Sequence, residues 1–159
     1  MGKMIQNAKF DKIFVQYYNT PYCSARTWAD ANSNFSSTGV EAKSRFGYSD
    51  WEQFIVGTAS EDAEFYIGLM GSEKAGGQER GLLSLQETAN IVKAHMHRKN
   101  FGGIMMWDAT YATINQIDGK PYYNAVNDAI DGFCAADNGA HICGGSKSKK
   151  VREGGSNDF

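Results

Sequence analysis

Hydrophobic positions along the chain gather into three short runs, and the stretches between them change to a helical period. The runs are residues 12–18 (KIFVQYY), 64–70 (EFYIGLM) and 101–107 (FGGIMMW). Each is apolar on both faces, the pattern of parallel strands covered by helices. Residues 49–60 (SDWEQFIVGTAS) open with Ser49 and Glu52 in capping-box spacing. Residues 84–100 repeat that signal with Ser84 and Glu87, and Leu85, Ala89, Val92 and Met96 recur at helical spacing. That helix is expected to end on His97, Arg98 and Lys99, whose charge complements the helix dipole. Residues 121–135 begin with Pro121 in the first turn and carry Val126, Ala129, Ile130 and Phe133 on one stripe. A short helix is expected over residues 2–8. The order (α)βαβαβα predicts an α/β fold with a parallel sheet.

Two stretches lack periodicity. Residues 20–48, rich in Ser, Asn and Ala, read as a long loop and the candidate binding loop. Residues 136–159, rich in Gly, Ser and Lys, read as a disordered tail behind a domain of residues 1–135.

Composition narrows the classes. A chain of 159 residues has room for one core. Hydrophobic residues make up 42% and charged ones 21%, as in globular domains. A net charge of −2 gives no general pull toward nucleic acid or an anionic membrane, and neither is expected as a partner. No apolar run is long enough for a membrane span. The opening MGKMIQNAKF lacks the apolar centre and cleavage pattern of a signal peptide.

Three cysteines are present: Cys23, Cys134 and Cys143. The last two are close enough in sequence to close a small loop, as a disulfide or as two thiols. His141 lies between them, but the set has too few ligands for structural zinc. No metal and no cofactor are expected. The segment GSEKAGGQERG (71–81) stands where a phosphate loop would, between strand and helix, but has no Gly-Lys-Ser/Thr ending. It reads as a sharp connection. His95 and His97 are two apart on a helix and face different ways, so both read as surface residues. No serine lies in a Gly-x-Ser-x-Gly elbow.

The strand ends carry the candidate chemistry. Alternation puts Phe14, Gln16 and Tyr18 on one face of the first strand, and Gly103, Met105 and Trp107 on one face of the third. In a barrel these faces point inward, and the C-terminal strand ends carry the site. Tyr18 and Trp107 would then meet at one rim. An indole face beside a phenol donor suits a sugar. Two aromatics filling a sheet core would give the same pattern.

The segments VQYYN followed by Cys23, FYIGLMGS and GGIMMWD together resemble the last three strand–helix units of a glycoside hydrolase family 18 chitinase, class III, fungal and plant type. The resemblance implies an incomplete TIM (β/α)8 barrel holding strands six to eight. It implies that Gln16, Tyr18 and Asn19 close the sixth strand and bind substrate, and that Trp107 floors the subsite of the reacting sugar. In that family the substrate's own acetamido oxygen attacks the anomeric carbon, an exception to the two-carboxylate scheme. Tyr18 would orient the acetamide and stabilise its developing charge. Chitin or a chito-oligosaccharide is the implied partner, and the family's setting is extracellular.

The family's general acid is the glutamate of Asp-x-x-Asp-x-Asp-x-Glu on the fourth strand. The nearest stretch, DAIDGFCA, has Asp128 and Asp131, then Phe133 and Ala135 where Asp and Glu belong. The resemblance therefore predicts no turnover by this chain alone. The alternatives are a noncatalytic chitin-binding protein and a truncated gene product. Two open strand edges predict self-association. The resemblance also implies that the partner of Cys23 lies upstream of Met1, leaving a free thiol. Asn34-Phe35-Ser36 is a glycosylation sequon.

Overall fold

Three β-branched and aromatic runs pair side by side, and each returns to the sheet through helices. The computed structural model describes residues 2–76 and 81–136. The elements are α1 (Gly2–Asn7), β1 (Lys12–Gln16), α2 (Ala25–Ala31), α3 (Phe35–Thr38), α4 (Tyr48–Ile55), β2 (Glu64–Met70), a 3-10 turn (Glu73–Ala75), α5 (Leu85–His95), β3 (Phe101–Trp107), α6 (Ala109–Ile114), β4 (Gln116–Ile117), β5 (Lys120–Pro121) and α7 (Tyr122–Ala136). The main sheet is parallel, in the order β1-β2-β3. The helices flank it as in part of an α/β barrel, and the three strands do not close into one. β4 and β5 form a small antiparallel hairpin that the hydrophobic pattern does not announce.

The two faces of the sheet differ. Ile13, Val15, Phe65, Ile67 and Leu69 point into one core, with Trp28, Phe46, Ile91, Val92 and Met96 from the covering segments. The register sets the other face in rows: Phe14, Tyr66 and Gly103, then Gln16, Gly68 and Met105, then Met70 and Trp107. Among the described residues no helix covers the ends of these rows, and Phe14 is 59% and Trp107 49% exposed. The apolar runs thus face a packed core on one side of the sheet and stay partly exposed on the other. β1 alternates between exposed and buried positions.

The second and third strands have the bounds that the pattern predicts; the first stops at Gln16, two residues early. The helix read over 84–100 is α5, and its Ser84–Glu87 capping box is formed in both directions. It stops at His95, so His97, Arg98 and Lys99 lie beyond its last turn. The Ser49–Glu52 box does not form. α4 begins after Gly47, in the left-handed region at φ 70°, with no side-chain cap. Ser49 and Glu52 are instead bound by Arg98.

Residues 20–48 are not one long loop. Ser24 caps α2 by accepting from the Thr27 N–H, and α3 follows. Trp28, Phe35 and Phe46 from this stretch are buried in the core. Their rings also overturn the surface reading of His95, which is 3% exposed. Its ring lies 4.7 Å from that of Tyr48, 5.4 Å from Phe46 and 6.0 Å from Trp28. Its Nδ1 donates to the Ile91 carbonyl at 2.8 Å, since a carbonyl can only accept. His97 is exposed. Val126 is buried on α7, and Ala129 and Ile130 are half-buried; Ala136, read as the first residue of the tail, ends α7, while the Phe133 side chain and residues 137–159, the rest of that tail, lie outside the described residues.

Candidate functional site

The C-terminal ends of the three strands meet in a small aromatic and thioether cluster. Tyr18, just past β1, is buried with Met70 at the end of β2 and Ala75 in the 3-10 turn. Leu82, Met105 and Tyr111 pack against them. Trp107 closes β3 beside Tyr18, with ring centroids 6.2 Å apart and planes within 18°. One ring is held in the cluster and the other stands half free. Burial pushes the Tyr18 phenol above its ordinary pKa, so its hydroxyl stays a neutral donor.

Backbone bonds fix the rim. The Gly71 N–H donates to the Trp107 carbonyl at 2.8 Å, and the Gly71 carbonyl accepts from Asn115 Nδ2 at 2.9 Å. The Trp107–Asp108 peptide is cis. The Asp108 carboxylate caps α6 by accepting from the Tyr111 N–H at 3.0 Å. That cap draws the helix back against β3 and places Tyr111 in the cluster.

Gln16 is exposed on the open face, and its Nε2 donates to the Tyr18 carbonyl at 3.1 Å. Asn19 is exposed in the left-handed region, φ 53°. Its amide faces the returning segment after β2: a Cβ at Gly76 would lie 2.7 Å from Asn19 Nδ2. Of the four candidate residues, the structure joins Tyr18 to Trp107 directly and Gln16 to the Tyr18 backbone. It turns Asn19 toward Gly76 and Gly81. The pattern of strand ends did not reveal Met70, Tyr111 or Asn115. Only Asp108, three residues before Tyr111 and at the head of an Ala-rich run, carried a usable helix-start signal.

The rim can offer a flat indole face and a phenol donor in apolar surroundings. This suits a ring with one apolar face and a carbonyl substituent. A groove lies elsewhere, between β3 and α7. Its volume is about 640 Å³, and Tyr66, Ile104, Met106, Val126 and Ile130 are among its lining. Among the described residues, no three His, Cys, Asp or Glu side chains cluster so as to hold a metal ion. No described helix is long and apolar enough to cross a membrane.

Sequence comparison sets the class. The chain is homologous to fungal endochitinases over most of its length, at about a third to two fifths identity. It is 40% identical over 132 residues to Endochitinase A1 of Aspergillus fumigatus, covering 82% of this chain and 15% of that protein. It is 35% identical over 128 residues to Endochitinase A of Emericella nidulans, covering 79% and 12%. It is 33% identical over 129 residues to Endochitinase 2 of Metarhizium anisopliae, covering 77% and 28%. The chain thus spans well under a third of the length of each of these relatives. No family model matches it. A xylanase and alpha-amylase inhibitor protein from Scadoxus multiflorus superposes with a TM-score of 0.44 at 24% identity, over 75% of this chain and 36% of that one.

Proposed function

We propose that this chain forms the C-terminal part of a chitinase barrel of glycoside hydrolase family 18, class III, and that its rim binds N-acetylglucosamine units of chitin. The observation that carries this reading is the near-parallel pair of Tyr18 and Trp107 at the strand ends, 6.2 Å apart. In this reading Trp107 floors the reacting sugar. Tyr18 donates its hydroxyl to the acetamido oxygen as that oxygen attacks the anomeric carbon. Gln16 and Asn19 border the same subsite. The oxygen of the leaving sugar still needs a proton, and the Asp-x-x-Asp-x-Asp-x-Glu acid is not among these 159 residues. The chain alone is therefore a sugar-binding piece without turnover. Hydrolysis needs a carboxylic acid from other polypeptide, and general acid help is worth about 10²- to 10⁴-fold. An extracellular setting accords with the disulfide at Cys134, since such bonds persist in oxidising compartments.

The test pairs binding with turnover. The chain is retained on colloidal chitin, and Trp107→Ala weakens retention by roughly 30-fold, as loss of an aromatic anchor worth about 2 kcal/mol implies. A fluorogenic chitotrioside is hydrolysed at background rate. Equal retention of parent and Trp107→Ala overturns the subsite. Turnover at ordinary enzyme rates that is lost in Tyr18→Phe overturns the noncatalytic part.

The open face and edges favour a second, compatible reading of the assembly. β1 and β3 each border the sheet, and unpaired edges seek partners. Other polypeptide, or a second copy, would cover Phe14, Met105 and Trp107.

A further inference from the structure

We propose that Asn34 is a site of N-linked glycosylation. The 159 residues contain one Asn-x-Ser/Thr sequon without proline, Asn34-Phe35-Ser36. The fold treats its three residues differently. Phe35 is buried, its ring 5.7 Å from that of Trp28. Ser36 Oγ donates to Asn90 Oδ1 at 2.9 Å and accepts from Gln86 Nε2 at 3.1 Å, fastening α3 to α5. Asn34 is exposed. It is the N-cap residue of α3, where an asparagine ordinarily accepts from a backbone N–H of the first turn. Here its side chain makes no such bond. The Asn34 carbonyl holds the turn instead, accepting from the N–H groups of Ser37 and Thr38 at 3.1 Å. The Asn34 amide can therefore be substituted without loss of a cap or a core contact.

The position suits a bulky group. α3 belongs to the helical layer, through Phe35 in the main core and Ser36 on α5. A glycan there extends from the helical side, away from the open face that carries Phe14 and Trp107. The disulfide at Cys134 is independent support for an oxidising compartment, where this modification takes place.

The donor is a lipid-pyrophosphate-linked oligosaccharide. Asn34 Nδ2 attacks C1 of its reducing-end sugar, so one N–C bond forms and the C1–O bond to pyrophosphate breaks. The lipid pyrophosphate leaves with the electron pair, and the amide nitrogen gives up one proton to solvent base. Transfer requires the sequon hydroxyl, which the folded chain ties to Asn90 and Gln86. The sugar is therefore added before α3 docks on α5.

The test expresses the full 159-residue chain behind a secretory leader in a yeast host. Its size is read in both medium and lysate, so that retention in the cell does not hide the product. The expected result is one discrete size step removed by a peptide-N-glycosidase, with aspartate read at position 34 by peptide mapping after release. The step is lost in Asn34→Gln and in Ser36→Ala, and kept in Ser36→Thr. A parent chain with no step, or a step that survives Asn34→Gln, overturns the proposal.

Discussion

Arg98 grips Glu52 across the boundary between α5 and α4. Its Nε lies 3.1 Å from both carboxylate oxygens, Nη2 also donates to Glu52, and the same Nη2 donates to Ser49 Oγ at 2.8 Å. The guanidinium lies over the Tyr48 ring, 5.8 Å from its centroid. Both charges are partly exposed, so solvent screens the pair. Arg98→Ala should cost about 1 kcal/mol, read as a lower urea midpoint with an unchanged slope. Arg98→Lys should recover less than half of this, because an ammonium cannot reproduce the fork. An unchanged midpoint in Arg98→Ala would show that the grip contributes nothing.

At Gly68 the β1 backbone and a β3 side chain lie close over β2. A Cβ there would lie 2.6 Å from the Val15 carbonyl oxygen and 3.0 Å from Met105 Cε. The methionine end can swing away, but the carbonyl belongs to the paired backbone. Gly68→Ala should destabilise by about 1–3 kcal/mol as an overpacked site. Thermal melts of the two proteins decide it, and equal melting temperatures would contradict the close approach.

His95 should make stability depend on pH. Burial is the main cause that pushes its imidazole below the ordinary range; the Ile91 carbonyl and Glu41 oppose this, while Arg98 adds to it. Its Nε2 lies 3.7 Å from Glu41 Oε1, and Glu52 is also near. The folded chain therefore binds this proton less readily than the unfolded chain. Stability is full above the unfolded pKa of about 6.5 and falls as pH drops through it toward the lower folded value. Urea unfolding between pH 7.5 and 5.5 should show that loss, and His95→Gln should flatten it. A parallel slope in the variant would assign the pH dependence to other groups.

Cys23 is an exposed free thiol, whereas Cys134 is disulfide-bonded. A maleimide added to the native protein without reductant should label Cys23, and peptide mapping should find Cys134 unlabelled. A Cys23 that labels only after unfolding would place it in the interior.

The open edges lead to a measurement of size. Size-exclusion chromatography of the isolated chain should show association that grows with concentration, together with binding of a hydrophobic dye. A compact monomer that binds no dye at any concentration would mean that the sheet edges and open face are covered within the chain.

The strands were legible because β2 and β3 are continuous apolar runs bounded by polar or glycine residues. The rim pair was legible for the same reason: Tyr18 and Trp107 follow from alternation counted to the strand ends. The place of Asn19 was not, since it depends on how the segment after β2 returns to Gly76 and Gly81. α2 was hidden because Ser, Asn and Ala dilute its signal. Only Ser24 with Thr27, then Ala25, Trp28 and Ala29 on one buried face, mark it. His95 was misread because its burial is decided by Trp28, Phe46 and Tyr48, which lie far away in sequence. Ser49 and Glu52 had the spacing of a capping box, but spacing does not reveal a competitor such as Arg98.

The open face of the sheet has unlike ends. At the start of the strands Lys12 Nζ donates to Tyr66 Oη at 3.1 Å, and that hydroxyl donates to Glu64 Oε2 at 3.0 Å. At the other end stand Met105, Tyr18 and the bare indole of Trp107. Along one strand length the surface passes from paired charge to aromatic ring. It therefore works as an arrow, not a plain plate. A covering segment laid one way sets polar groups on the Lys12–Glu64 end and apolar groups near Met105 and Trp107. The reversed segment strands an ion pair under hydrocarbon, which is costly. Any segment that covers this face would therefore have a preferred direction.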